Sequence, residues 1–530
     1  MSLVEVSGLS VSFGDVRAVR DLSFSLEPGR ALGVVGESGS GKSASAYALL
    51  GLHRGTGAQV TGSVKVAGVD VNAADDAELR SLRGGRAAMV FQDPLSSLDP
   101  YYAVGDQIAQ VYRVHHRVSR RAARARAVEV LERVRIPDAA RRARSRPHEF
   151  SGGMRQRALI AMALACEPQL LIADEPTTAL DVTVQAQILD LLHQLRTETG
   201  MGLLLVTHDV AVAAESVDDV LVMRSGEAVE RGPVGDVLLA PREPYTRALL
   251  AAVPRIAAAP APRTPLPVAD DAPEPPLIEA VDVVRVFGKG ASAHTAVDGV
   301  SVAVRRGETL GIVGESGSGK TTLGRMLVGL LDPTSGSLSR RGRVQMVFQD
   351  PQSSLNPRRS IGESVADPLR ASGERDEGAI RSRVGDLLER VGLDAGLYDR
   401  YPHEFSGGQR QRVGIARALA GDPDLIVCDE AVSALDVTTQ AQVVALLGRL
   451  QRELGLALVF IAHDLAVVRQ VSDRVAVMRG GRIVEEGDAE TVYADPQDPY
   501  TRQLLAAVPA LDPALAAQRR SERAELAPSV

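Results

Sequence analysis

The 530-residue chain has only two cysteines, Cys166 and Cys428. They lie in separate segments at no metal-ligand or disulfide spacing, which excludes a disulfide scaffold and fits a reducing compartment. A basic excess is also missing: the formal net charge is −7, which argues against a protein whose main work is coating nucleic acid. No apolar run approaches the roughly 20 residues needed to span a bilayer. The best, residues 456–462 and 203–206, have the length of buried strands, so any path across a membrane would have to be built by other subunits. The opening MSLVEVSGLSVSF has neither a basic region nor a continuous apolar one, and no secretory leader is expected. What is present is ordinary globular material, 45% hydrophobic and 24% charged, in a chain too long for one core.

An internal repeat decides the organisation. GESGSGKS at residues 36–43 returns as GESGSGKT at 314–321, 278 residues later. FQDPLSSLDP beginning at Phe91 returns as FQDPQSSLNP at Phe348, only 257 residues later, so the second copy is 21 residues shorter between these points. PHEFSGG, the Asp-Glu pairs at Asp174 and Asp429, the His-Asp pairs at His208 and His463, and PYTR then share a single offset of 255. Motif order is duplicated along with motif content, which predicts two copies of one fold at residues 1–254 and 277–510. Between them residues 255–276 (RIAAAPAPRTPLPVADDAPEPP) have little to bury and read as a linker, and residues 511–530 read as a tail. Short apolar runs (31–35, 170–173, 203–207) alternate with helical patterns such as 184–195, predicting α/β units on a largely parallel sheet. Residues 104–146 are helix-like throughout and predict an inserted helical subdomain.

GESGSGKS fits G-x-x-x-x-G-K-[ST] between a strand and a helix, the context that pattern requires. Gly36, Gly39 and Gly41, with Ser38 between them, let successive backbone N–H groups turn toward phosphate at the positive end of a helix. Lys42 would meet the β- and γ-phosphates and Ser43 would ligate Mg²⁺; Gly314, Ser316, Gly317, Gly319, Lys320 and Thr321 repeat the arrangement. Two apolar strands end in Asp174-Glu175 and Asp429-Glu430. The first acid of each pair is placed to hold Mg²⁺ and the second to orient or deprotonate an attacking water.

Together these residues resemble the ATP-binding cassette (ABC) ATPase family, over nearly all of both halves. The family-specific part is Ser151-Gly152-Gly153-Met154 and Ser406-Gly407-Gly408-Gln409, similar to its signature sequence; Met154 stands where Gln is usual. The resemblance implies an α/β fold of tandem P-loop NTPase domains, each with a RecA-like core, an antiparallel β subdomain and a helical subdomain. It further implies Q-loop glutamines at Gln92 and Gln349 that touch Mg²⁺ or water, switch histidines at His208 and His463, D-loops at Asp181 and Asp436, and adenine-stacking Phe13 and Phe287. Family members pair head to tail, so each ATP would meet one phosphate loop and the other copy's signature. Both acids and both histidines are present, and hydrolysis is expected at both sites, with ATP and Mg²⁺ as ligands.

QDPxSSLxP, PHEFSGG and the endings PYTRALLAAVP and PYTRQLLAAVP look like the oligopeptide/dipeptide/nickel importer group. That likeness implies two integral-membrane permease subunits, an extracytoplasmic solute-binding protein, and a peripheral place on the cytoplasmic face of the membrane. Peptide import is the first choice, with nickel, glutathione or another small solute as alternatives. Many first cassettes of the group carry a cysteine cluster able to hold an iron–sulfur centre; residues 255–276 have no Cys, and no cluster is expected. The 21-residue deletion predicts a trimmed β subdomain in the second copy, with SLSRRGRV at 337–344 in place of residues 63–87 and weaker support around adenine. The Arg-rich stretches at 117–126 and 141–146 read as solvated faces of the helical subdomain, not as nucleic-acid sites, and His115-His116 as a surface pair. The competing class, a soluble tandem ABC ATPase acting on ribosomes or DNA, typically carries a long charged helical linker or zinc cysteines, and neither is present.

Overall fold

Runs that are apolar on both faces make strands covered on both faces. In the first copy these are β3 (Ala31–Val35), β7 (Leu170–Asp174) and β8 (Gly202–Thr207), every residue of which is buried. The computed structural model describes residues 2–254, 256 and 275–526, apart from 179, 291, 292 and 434. The linker expected at 255–276 therefore lies outside the described residues but for 256, 275 and 276. The chain divides into two units, residues 1–253 with 509–530 and residues 254–508.

In the first unit, β1 (Val4–Phe13) pairs antiparallel with β2 (Val16–Leu26) and β4 (Gln59–Val66), and a short β5 (Val69–Asp70) completes a four-stranded sheet. The six-stranded core sheet adds β6 (Ala87–Val90), β9 (Asp219–Arg224) and β10 (Glu227–Pro233) in the order β10-β9-β3-β8-β7-β6. All its pairings are parallel except β9 with β10. One apolar core joins the two sheets around the helix Lys42–Ala48. The helices Val104–His115 and Arg120–Arg133 form the expected helical insertion, and the helix predicted at 184–195 runs over Val182–Thr199.

The second unit repeats the plan with β11 (Ile278–Phe287), β12 (His294–Val304) and β14 (Ser335–Arg340) in a sheet of only three strands. Its core strands are β13 (Thr309–Val313), β15 (Val344–Val347), β16 (Leu425–Asp429), β17 (Ala457–Ile461), β18 (Arg474–Arg479) and β19 (Arg482–Asp488), in the matching order β15-β16-β17-β13-β18-β19. The deletion thus removes, among the described residues, the counterparts of β5 and of the helix Asp76–Leu82, as the trimmed β subdomain required.

One function of the lost segment is kept by another residue. In the first unit Arg83, just after the helix Asp76–Leu82, donates from Nε to the Leu50 carbonyl at 2.7 Å and from Nη2 to the Gly51 carbonyl at 2.8 Å. In the second, Arg340 at the end of β14 donates to the carbonyls of Leu327 (2.9 Å) and Met326 (2.7 Å). Both guanidinium groups bond carbonyls at, or just beyond, the C-terminal end of the phosphate-loop helix. Among the described residues, no helix is long and apolar enough to cross a membrane.

Candidate functional site: two nucleotide-binding centres

Parallel strands deliver their C-terminal ends to one edge of a sheet, and ligands of open α/β sheets bind at that edge. β3 runs into residues 36–43, β7 into Asp174-Glu175, β8 into His208 and β6 into Gln92. β8 lies between β3 and β7, so the phosphate loop and the acids flank the histidine strand.

The phosphate loop needs glycine at defined points. Gly41 has φ +95° and Gly319 φ +103°, and a Cβ on either would run into the carbonyl oxygen of Ala18 or Ala296. Lys42 Nζ donates to the Gly36 and Glu37 carbonyls at 2.8 Å each, and Lys320 does the same to Gly314 and Glu315. Each ammonium is thereby held across the loop it serves, with Ser38, Gly39, Ser316 and Gly317 in the intervening turns.

Ser43 Oγ donates to Asp174 Oδ1 at 2.9 Å, and Thr321 Oγ1 to Asp429 Oδ1 at the same distance. Asp174 is fully buried, with the Tyr47 hydroxyl as another polar neighbour. A buried carboxylate beside a hydroxyl at a helix N-terminus is a hard-oxygen pair suited to Mg²⁺. Burial pushes Asp174 up to about 6 and also raises Asp429. A cation there would reverse that shift.

Glu175 and Glu430 both sit in the left-handed region at φ +47°, a conformation of some cost that turns each carboxylate off its strand axis. Gln92 Nε2 donates to Glu175 Oε2 at 2.7 Å, and Gln349 Nε2 to Glu430 Oε2 at 2.7 Å. His208 Nδ1 lies 3.2 Å from Glu175 Oε1, whereas His463 Nδ1 lies 3.8 Å from Glu430 Oε2. Burial opposes ionisation of both glutamates, but the paired histidines, with Thr178 and Lys42 at the first site and Lys320 at the second, outweigh it and hold both carboxyls below their ordinary value. The histidines are raised in turn: burial lowers them, and the glutamates outweigh it. Ionised carboxylates at neutral pH are the state a water-orienting base requires.

Lys42, Ser43, Gln92, Asp174, Glu175 and His208 are therefore brought together, as are their six counterparts. The signature residues stand elsewhere in each unit: Ser151 caps the helix Gly152–Leu164 and Ser406 the helix Gly407–Ala420. Gly153 and Gly408 are packed so closely under Val184 and Thr439 that a Cβ would collide with those side chains. Asp181 and Asp436 cap the helices that carry these two residues. Phe13, 41% exposed, has its ring edge-on to His53 with centroids 5.4 Å apart; Phe287, 40% exposed, lies under the Arg285 guanidinium at 4.9 Å.

Sequence reasoning missed Thr178, whose Oγ1 donates to Glu175 Oε2 at 3.0 Å. Its counterpart Ser433 donates instead to the Glu430 backbone carbonyl. Aligning EPTTAL with EAVSAL would have flagged the position.

The ABC transporter family profile matches residues 19–178 and again 297–433. The chain belongs to the ABC transporter family. It is a two-cassette ATPase of that family. A second profile, the oligopeptide/dipeptide transporter C-terminal region, matches residues 229–273 and 484–529. The chain is 45% identical to the glutathione import ATP-binding protein GsiA of Salmonella choleraesuis (strain SC-B67), over 98% of this chain and 91% of the relative. It is also 45% identical to the protein of that name from Escherichia coli (strain K12), over 97% of this chain and 90% of the relative. A solved dimeric cassette, MJ0796 bound to ADP and Pi, is 29% identical over 40% of this chain and 98% of its own, with a TM-score of 0.37.

Proposed function

We propose that the chain energises the import of a short peptide, with glutathione, itself a tripeptide, as the first solute to test. The observation that carries this reading is the 45% identity over 98% of the chain to glutathione import ATP-binding proteins. The oligopeptide/dipeptide transporter profile, which matches at the end of each cassette, supports it.

In this reading Lys42 and Lys320 bind the ATP phosphates, aided by the loop N–H groups from Gly36 to Ser43 and Gly314 to Thr321. Mg²⁺, when bound, supplies charge neutralisation on the phosphates. Ser43 with Asp174, and Thr321 with Asp429, are the residues that would hold it, with Gln92 and Gln349 alongside. Glu175 and Glu430 orient the attacking water and accept its proton, and His208 and His463 fix the two carboxylates. Ser151 to Gly153, Ser406 to Gly408, Phe13 and Phe287 are assigned to nucleotide binding.

The proposed partners are two integral-membrane permease subunits and an extracytoplasmic solute-binding protein, with this chain peripheral on the cytoplasmic face. A cleft of about 470 Å³ next to Gln349 supports a docking role: Phe348, Met346, Pro368 and Arg417 line it between the core sheet and the helical subdomain. Uptake of labelled glutathione, dipeptides, tripeptides and nickel by cells with and without the gene tests the reading. Loss of glutathione or peptide uptake supports it, and loss confined to nickel overturns the peptide assignment. Glu175→Gln and Glu430→Gln, made separately, should each lower ATP turnover; a wild-type rate removes that site from the mechanism.

A further inference from the structure

After the second cassette the chain returns to the first unit, where the helix Pro513–Leu526 packs along the short helix Val210–Ser216. The packed face is Ala516, Arg519, Arg520 and Arg523, spaced at helical period, with Ala516 buried. Arg523 donates from Nη2 to Asp190 Oδ1 at 2.9 Å and from Nε to Asp190 Oδ2 at 3.2 Å, a bidentate pair. The same guanidinium lies 3.6 Å from Glu215, and Arg520 donates to the Glu215 backbone carbonyl. Glu215 is consequently buried, its side chain 1% exposed.

The second cassette lacks this surface. By the 255-residue offset, Gln470 stands for Glu215, Ala445 for Asp190 and Gly448 for His193, and Gln470 and Ala445 are exposed. An arginine-rich helix therefore finds its acids on the first cassette, and neither counterpart position on the second carries one. The helix it grips starts two residues after His208: Asp209 caps it by accepting from the Ala211 and Val212 N–H groups, and all seven of its residues are buried.

We propose that the helix Pro513–Leu526 is an intramolecular clip that fixes the helix Val210–Ser216, making Arg520 and Arg523 positioning residues for His208 at the first ATP site only. This rests on the assignment of His208 to ATP hydrolysis proposed above. The clip makes the two cassettes unequal: one switch histidine is braced by the helix Pro513–Leu526, and the counterpart positions of the other cassette lack the acids that helix grips.

The full chain carrying Arg520→Ala and Arg523→Ala tests this by hydrogen exchange and steady-state ATPase kinetics. Exchange at residues 208–216 should quicken about tenfold while residues 463–471 stay unchanged. The turnover kcat should fall about threefold with KM held within about twofold. Arg520→Lys with Arg523→Lys should restore most of the rate. Asp190→Asn, which leaves the helix sequence intact, should shift both readouts the same way by less. Unchanged exchange at 208–216, an equal rise at 463–471, or an unchanged kcat overturns the clip. A wild-type chain without ATPase activity would instead overturn the proposed function, and the exchange comparison would still decide the clip.

Discussion

Gln92 donates to Glu175 Oε2 at 2.7 Å, and Gln349 donates to Glu430 Oε2 at 2.7 Å. The loop that leaves the edge strand of each core sheet is therefore tied directly to the second carboxylate of the Asp-Glu pair. Gln92→Ala and Gln349→Ala remove one of the groups that hold that carboxylate without touching the phosphate loop. Each should lower kcat by about tenfold, the scale of a misplaced general base, with the KM for ATP changed by less than about twofold. Steady-state kinetics of the single variants checks it, and a rise in KM alone would show that the glutamine serves binding.

Thr178 and Ser433 occupy the same place in the repeat but bond differently, one to the Glu175 carboxylate and the other to the Glu430 backbone. Thr178→Ala should cost about 1 kcal/mol of activation free energy, the worth of one hydrogen bond to a partly buried carboxylate. Ser433→Ala should change turnover by much less. Rates of the two variants measured side by side separate a carboxylate-orienting hydroxyl from a turn-stabilising one.

Glu215 gives a stability prediction with a definite sign. Burial raises its carboxyl from 4.5 to about 7, against the pull of Arg523, the Ala510 N–H and Arg520 and with a smaller push from Asp190. The other titratable groups on this face are His193, lowered chiefly by burial, and Arg519. Between the unfolded and folded values the folded state keeps a proton that the unfolded state has released, so stability falls as pH rises through that window. Glu215→Gln has no charge to bury and should gain about 2 kcal/mol on wild type between about pH 5 and about pH 8. Thermal unfolding at the two pH values reads it, and a gain that does not grow with pH would exclude the mechanism.

Much of the site is legible in the residues because the motifs lie at strand ends. Ala31 to Val35 and Leu170 to Ala173 are recognisable as strands by being apolar throughout, and the phosphate loop and the Asp174-Glu175 pair come directly after them. The missing 21 residues likewise foretell the loss of a strand from the second β subdomain. The role of Arg340 is not legible there, because nothing local says that an arginine at the end of a strand bonds the end of the phosphate-loop helix as Arg83 does from after a helix. The C-terminal helix has, in the sequence, only the character of a tail. Its packed face is Ala516 with three arginines, so a scan for apolar periodicity finds no buried stripe, although ion pairs and long side-chain stems bury it. Nothing local marks Glu215 for burial: Arg523 and Asp190, the groups placed around it, are 308 and 25 residues away. Long-range pairs of this kind leave no local signature.

Met154 marks a further difference between the two cassettes. In the second, Ser406 Oγ accepts from the Gln409 N–H at 3.3 Å while Gln409 Oε1 accepts from the Ser406 N–H at 2.9 Å, a reciprocal capping box. In the first, Ser151 Oγ accepts from the Met154 N–H at 3.3 Å, and a thioether cannot return the bond as a carboxamide does. The Ser151 hydroxyl and the Gly152 and Gly153 N–H groups, which the nucleotide would use, are the same in both. Met154→Gln should therefore stabilise the first cassette by about 0.5–1 kcal/mol through the completed cap, with ATP turnover left within about twofold. Chemical denaturation gives the first quantity and steady-state kinetics the second. A large change in turnover at constant stability would mean that the fourth signature residue acts on the nucleotide itself, and that Met154 sets a difference between the two ATP sites.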